Sequence, residues 1–193
     1  PLIRSSGIGP ATSSSGAVKS YLKESFDGGF HIEHVKDING KNLEHTINST
    51  MMRVELPSVL KSGSQFSFKI KWWYNINDHV KDGGRSGYEY FEENDNRIYV
   101  MAQFYPRMAV YNDVEGWQNS QFWGRDEFAL PFGDFDVNIT VPADHILDGT
   151  GYLVNREDVF TKDMMKRFKK AKKSYDTPVM IVTQDEAEIT EKS

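Results

Sequence analysis

The chain has 193 residues, a formal net charge of −5 and no cysteine, and its 25 aromatic residues supply ample material for one packed domain. The missing cysteines exclude a disulfide scaffold, a thiolate metal site and a cysteine nucleophile. No apolar run reaches the roughly 18 residues that cross a bilayer, and the acidic balance argues against a nucleic-acid partner, because phosphates favour a basic surface.

Both ends of the chain are expected to lie outside the packed domain. Residues 1–29 start at Pro1 and contain a run rich in Ser, Gly and Ala, which predicts a flexible or partial N-terminal segment. Residues 184–193 are charged and are interpreted as a tail or as the lead-in to a missing region. The predicted domain therefore spans residues 30–183, within a chain that we expect to be processed or part of a longer protein.

Strand patterns dominate the middle of the chain. Residues 30–35 and 51–56 place apolar side chains on one face, and Asn39-Gly40 is a strong signal for a hairpin turn. Residues 65–74 give the clearest strand, because apolar and polar side chains alternate along them. Trp73 breaks this alternation, which indicates a bulge or a second contact face.

The second half of the chain predicts more strands and one helix. Thr161 is a suitable N-cap for a helix over residues 161–173, whose apolar stripe includes Met165 and Phe168. Many antiparallel strands, then one helix and a last strand, predict a mainly β domain, saddle-like or a sandwich, with one short helical insert near the C-terminus. The additional strands are predicted at residues 88–91, 98–104, 127–130, 136–141 and 179–183.

The histidines do not predict a metal site. His31 and His34 are three residues apart in a predicted strand, so period two places them on opposite faces. Glu33 shares a face with His31 but lacks a third ligand nearby, and HExxH does not occur in the chain. We expect no metal-binding residues here, and no pair of carboxylates or Ser-His-Asp set is assigned either.

A glycine-rich segment and an aromatic run remain. The segment GGRSG, residues 83–87, lacks the Lys-Ser/Thr ending and following helix of a P-loop, so it is interpreted as a structural loop with Arg85 free to pair with an acid. The run 102–124 is dense in aromatic residues and reads largely as a loop after a strand. Such a loop on a β scaffold suits binding of peptides or sugars, and packing of the loop on its own sheet is the other interpretation.

Four motifs in order resemble a known family. WWYNIND (72–78), GGRSGYEYF (83–91), AQFYPRMAVYNDVEGWQN (102–119) and FGDFDVNITVPADHI (132–146) resemble the N-terminal β-domain of the zinc aminopeptidases that include aminopeptidase N and leukotriene hydrolase. The nearest resemblance is to a large bacterial branch of this family, and residues 161–183 resemble an insert of that branch.

The resemblance implies a saddle-shaped, mostly antiparallel β-domain that precedes a thermolysin-like catalytic domain. In the family, the catalytic domain carries HExxH, a further Glu ligand to zinc and a glycine-rich motif that holds the substrate. Neither motif is present in this chain. The implied role is therefore non-catalytic: the chain has no catalytic residues and no cofactor of its own, and zinc belongs to the missing catalytic domain of the parent protein.

The resemblance also implies a substrate-binding element at residues 103–105. In the family, Gln-x-Glu or Gln-x-Gln reaches toward the N-terminal end of the substrate. Gln103 matches the first position, but Tyr105 replaces the acid or amide, so the negative charge that would bind a free α-amine is absent. Arg107 is expected to orient the loop by pairing with Asp113 or another acid.

The sequence therefore predicts a domain that shapes the substrate cleft of a zinc metallopeptidase and helps to bind the N-terminal end of a peptide. Its expected partners are the peptide substrate and its own catalytic domain, with no nucleic acid and no transmembrane segment. The alternatives are a free-standing β-sandwich module that binds peptide or glycan, and an interaction domain without a small ligand. No compartment is assigned, since the periplasm or cell envelope and the cytoplasm both stay open.

Overall fold

A computed structural model of the chain describes residues 26–121 and 129–188. The chain forms two compact units that divide between Asp134 and Phe135, with the described strands in the first unit and most of the described helices in the second. The strands are β1 (His31–Asp37), β2 (His45–Asn48), β3 (Met51–Val54), β4 (Phe68–Trp73), β5 (Gly87–Phe91), β6 (Asn96–Val100), β7 (Tyr111–Asn112) and β8 (Gly116–Trp117). The helices are α1 (His79–Asp82), α2 (Arg156–Val159), α3 (Lys162–Ala171) and α4 (Gln184–Glu188), with a 3₁₀ turn at Glu92–Asn94.

The described strands pair antiparallel into two-stranded sheets, in the order β1–β4, β2–β3, β5–β6 and β7–β8. Short antiparallel sheets with few helices agree with the predicted mainly β class. The pairing within residues 26–121 and 129–188 does not show a sandwich or a saddle. The two predicted end segments are only partly covered, since residues 1–25 and 189–193 lie outside the described residues.

The β1–β4 pair carries the apolar core of the first unit. β4 alternates half-buried and exposed side chains, as period two predicts, and Val35 on β1 lies opposite Ile70 with only 1% of its surface exposed. The register shifts between Ile32 and His34, so the bulge lies on β1 and not at Trp73 of β4, where the sequence suggested one. Trp73 instead stacks on a β1 side chain.

The predicted turn at Asn39-Gly40 is confirmed. Asp37 Oδ1 accepts hydrogen bonds from the backbone N–H groups of Asn39 and Lys41, both at 2.9 Å, and Gly40 has φ +85°, which glycine adopts without strain. The chain then runs back along β1, where Leu43 N donates to Val35 O at 2.9 Å. Leu43 is 6% exposed and completes the small core with Val35.

Segment 83–87 has the structural role that the sequence predicts. Gly83 ends α1, and Gly87 starts β5 at a close crossing with residue 77. A Cβ on Gly87 would lie 2.7 Å from Asn77 O, and φ is +147°, so the position excludes other side chains without a backbone shift. Tyr88 N donates to the same carbonyl at 2.8 Å, which explains why the chain must approach so closely.

Three predicted strands are not strands in the structure. Residues 136–141 keep the alternating pattern but have no ladder partner among the described residues, and backbone groups without a partner do not form a sheet. Residues 179–183 are also unpaired, because Thr183 caps a helix instead of extending a strand. Of residues 127–130, the first two lie outside the described residues and the last two are irregular.

The second unit is held by contacts between its helices. The predicted helix is confirmed as α3, and Thr161 Oγ1 accepts from Met164 N at 3.2 Å as the expected N-cap. The Arg156 guanidinium lies 4.0 Å from the Phe168 ring centroid and 6.0 Å from that of Phe160, so one cation ties α2 to the apolar side of α3. Within residues 26–121 and 129–188, no helix has the length and apolar character to cross a membrane.

The predicted charged tail begins with a helix, α4. Thr183 Oγ1 accepts from Glu186 N at 3.3 Å, while Glu186 Oε2 accepts from Thr183 N at 2.9 Å, which is a reciprocal capping box. Glu186 also forms a bidentate ion pair with Arg167 of α3. These bonds hold the pKa of Glu186 at about 2, below its ordinary value, chiefly because Arg167 favours the carboxylate.

Candidate functional site

The three predicted site residues follow β6 in a segment with an anchor on each side of Gln103. On the N-terminal side, Ala102 N donates to Ser86 Oγ at 3.1 Å, and the Ser86 hydroxyl donates to Ala102 O at 3.4 Å. On the C-terminal side, Trp72 Nε1 donates to Phe104 O at 3.3 Å. Gln103 is therefore flanked by two residues whose backbones are fixed, one to the residue before β5 and the other to β4.

Gln103 itself has a left-handed backbone, with φ +56°. A non-glycine residue in this region costs about 1–2 kcal/mol, and such residues are typically maintained at functional sites. The Gln103 side chain is exposed, so its amide offers two donors and one acceptor to solvent or to a ligand. The anchors thus present a polar side chain in a backbone conformation that the chain would otherwise avoid.

Tyr105 and Arg107 form the half-buried part of the site. The Phe104 and Tyr105 rings meet edge to face with centroids 5.3 Å apart. Burial lowers the pKa of the Arg107 guanidinium from its ordinary value, and the nearby Tyr105 acts in the opposite direction. Tyr105 and Arg107 therefore lie close together. No ion pair joins Arg107 to Asp113 among the described residues, and pairing of Arg107 with another acid stays a prediction.

A second feature of the aromatic run, the β7–β8 hairpin, was missed by the sequence analysis. Asn112 Oδ1 accepts from the backbone N–H groups of Val114 and Glu115, at 3.2 and 2.8 Å, and shapes the turn. The rings of Tyr111 and Trp117 then meet across the hairpin with centroids 5.2 Å apart, although both residues are exposed. Asn112 and the glycine four residues later are turn residues between aromatic positions, and this signal predicts a short hairpin.

The end of the aromatic run is attached to the β2–β3 hairpin through Gln121. Thr50 donates to Gln121 Oε1 from its backbone N–H at 2.9 Å and from its hydroxyl at 2.6 Å, and Gln121 Nε2 donates to Asn48 O at 2.8 Å. These three bonds use every polar atom of the Gln121 side chain. The candidate site is thus held at three places, by Ser86, by Trp72 and by Gln121.

The histidines near β1 do not form a metal site in the part of the chain that the structure describes. His31 stacks on Trp73, with ring centroids 3.9 Å apart and planes 10° from parallel, and Glu33 pairs with Lys71 at 2.6 Å. No group of three His, Asp or Glu side chains among residues 26–121 and 129–188 is arranged to hold a metal ion. The residues present do not fit a zinc site, so no zinc chemistry is assigned to them, and zinc in the parent protein stays a prediction.

Comparison of the chain with known protein families, with curated proteins and with solved structures found no match. The resemblance to the zinc aminopeptidases therefore depends on the four sequence motifs alone. The geometry of residues 102–121 is a separate observation, because it describes this chain without reference to any family.

Proposed function

We propose that the chain is the N-terminal β-domain of a zinc metallopeptidase of the aminopeptidase family, which its four motifs resemble, and that it shapes one wall of the substrate cleft. The observation that carries the proposal is the exposed side-chain amide of Gln103. Its backbone has φ +56° and lies between the hydrogen-bonded residues Ala102 and Phe104. The proposed fold of the complete domain is the saddle-like antiparallel sheet of that family. The catalytic residues and the zinc ligands belong to the proposed catalytic domain of the parent protein.

The chemistry of the three site residues suits a peptide end. The Gln103 amide can pair with a peptide N–H and a peptide C=O at the same time. Tyr105 offers a ring face and one hydroxyl but no negative charge at neutral pH, so it does not favour a free α-amine as a carboxylate would. Arg107 acts as a positioning residue beside Tyr105.

The proposal is tested by titrating the 193-residue chain with two tripeptides that differ only in a free or acetylated amino terminus, with NMR detection. We expect shifts at the backbone amides of residues 103–105 and 107, and similar affinity for the two peptides. Gln103→Ala should abolish the shifts, while Gln118→Ala, which changes an amide in the same run, should not. Shifts confined to other residues, or unchanged binding by Gln103→Ala, would exclude the site.

The missing charge at Tyr105 gives a second test of the same proposal. Tyr105→Glu supplies the acid that the family has at this position, so it should favour the tripeptide with the free amine over the acetylated one. Tyr105 is half buried, and an ion pair worth up to about 1 kcal/mol corresponds to an increase of up to about fivefold. Equal affinity of this variant for both peptides would remove Tyr105 from the proposed cleft.

The alternative function, a free-standing module for peptide or glycan, is supported by a different observation. The exposed Tyr111 and Trp117 rings on β7–β8 give a surface on which a sugar ring or an apolar side chain can stack. A glycan titration separates the two functions. Binding of oligosaccharides that Trp117→Ala abolishes and Gln103→Ala preserves would favour the module over the peptidase domain.

A further inference from the structure

The second unit concentrates positive charge on one helix. Residues 162–173 contain seven of the 23 Lys and Arg residues of the chain and a single Asp, so all other residues together carry 16 bases against 27 acids. Such a strong local reversal of sign creates a field that attracts anions to this helix and to no other described helix. The question is which anionic partner the surface fits.

The lysines of α3 do not share one environment. Lys162, Lys166 and Lys169 are spaced four and three residues apart, so they form one ridge along the helix. This ridge borders a groove of about 460 Å³, whose remaining lining comes from Glu157, Phe160 and Met165. None of the three lysines has an ion-pair partner among the described residues.

The opposite side of α3 is already occupied. Arg167 pairs with Glu186 of α4, and the Phe168 ring is covered by the cations of Arg156 and Lys172 at 4.0 and 5.2 Å from its centroid. These contacts fix the rotation of α3 about its axis within its unit. The lysine ridge therefore lies away from Arg167 and Phe168, while Phe160 both lines the groove and contacts the Phe168 ring, with centroids 6.1 Å apart.

We propose that this groove binds an acidic peptide segment, in which carboxylates flank one apolar side chain. The carboxylates would pair with the lysine ridge, and the apolar side chain would contact Phe160 and Met165, the apolar residues that line the groove. Charge complementarity identifies the sign of the partner, and the apolar lining of the groove favours a peptide over a simple polyanion. The proposal concerns the second unit and does not depend on the function of Gln103.

A membrane surface or a nucleic acid fits the same charges less well. Both are extended polyanions, and the acidic excess of the remaining residues opposes their approach over the rest of the chain. Membrane insertion also needs a free apolar helix face, whereas Phe168 is already covered by Arg156 and Lys172. An acidic peptide needs only the groove and the ridge beside it.

The test uses the full 193-residue chain and a fluorescein-labelled peptide with four Glu residues around one Leu, followed by fluorescence anisotropy. We expect saturable binding that weakens as salt is added, because the ion pairs are exposed. The double variant Lys166→Glu/Lys169→Glu should weaken binding by about tenfold or more. The control variant Lys61→Glu/Lys81→Glu has the same net charge but changes exposed lysines of the first unit, so it should change affinity by less than about threefold.

Two altered peptides test the same groove without changing the protein, in case a charge variant loses helicity by circular dichroism. A peptide with Gln in place of Glu should not bind, and one with Ser in place of Leu should bind more weakly. The proposal would be overturned if the two charge variants lost affinity equally or if replacing Leu had no effect. It would also be overturned if the chain bound phosphatidylglycerol vesicles or single-stranded DNA more tightly than the peptide.

Discussion

β4 and residues 135–141 have the same alternation of apolar and polar side chains but different surroundings. In β4, the apolar Phe68, Ile70 and Trp72 are half buried, because the strand pairs with β1 along its length. Residues 135–141 have no partner strand in the part of the chain that the structure describes, and their apolar side chains are 37–65% exposed. The alternation of a segment therefore predicts which side chains could share a face, and only a second strand decides whether that face is buried.

The comparison also distinguishes how the two units are held together. The first unit has a backbone ladder and two buried side chains, Val35 and Leu43, in the described residues. The second unit relies on side-chain contacts at helix ends, such as the cation over Phe168 and the pair between Arg167 and Glu186. Core substitutions and pH changes should therefore affect the two units differently.

The largest expected effect comes from truncating matched valines in the two segments. Val35→Ala should lower the free energy of unfolding by about 2 kcal/mol, because Val35 is 1% exposed and its loss leaves a cavity. Val137→Ala should change it by less than about 0.5 kcal/mol, since Val137 is 55% exposed. Urea unfolding followed by tryptophan fluorescence measures both, and a comparable loss in the two variants would show that residues 135–141 are paired in solution.

A smaller loss of stability is expected in the β2–β3 hairpin, where hydrogen bonds to one side chain stabilise strands that lack a buried face. The β2 side chains are exposed, so the β2–β3 hairpin depends on the Gln121 bonds to Thr50 and Asn48. Gln121→Ala should destabilise the hairpin by about 1 kcal/mol, which corresponds to hydrogen exchange about fivefold faster at its amides. Gln65→Ala serves as the control, because Gln65 is exposed and makes no such bond. Unchanged exchange in Gln121→Ala would mean that the hairpin is stable alone.

The smallest effect is expected from pH in the second unit. The folded pKa of Glu186 is about 2, below its ordinary value of 4.5, so its contribution is complete above pH 4.5 and is lost as the pH falls toward 2. The pair is only partly buried, which keeps the effect small. The amide shift of Thr183 should follow this titration by NMR, whereas Glu186→Gln should remove it. A midpoint near pH 4.5 in the unchanged chain would show that Arg167 does not hold the carboxylate.

Local signals in the sequence predicted much of the local structure. Asn39-Gly40 gave a turn, the alternation over β4 gave a strand, and Thr161 gave the start of α3. The turn and the helix cap depend on hydrogen bonds between residues at most four positions apart. The alternation over β4 was sufficient because β4 pairs with β1. The mainly β class followed from these elements.

The remaining features depend on contacts that no local pattern contains. The strand predicted at 136–141 needed a ladder partner, and the bulge expected at Trp73 lies on the opposite strand. In the candidate site, the sequence predicted the residue types but not the left-handed backbone of Gln103, because that conformation comes from anchors on other elements. The capping box before α4 was present in the sequence as T-x-x-E but was interpreted as the end of a strand.

The contacts of Gln121 have a consequence for the order of folding. They join residues 71 positions apart in the chain, whereas the turn at Asp37 closes over four residues. Because closing a longer loop costs more entropy, we expect the turn to form early and the Gln121 contacts to form after the folding transition state. Gln121→Ala should then accelerate unfolding while leaving the folding rate nearly unchanged, so the loop that carries the candidate site would be the last part of its unit to become ordered.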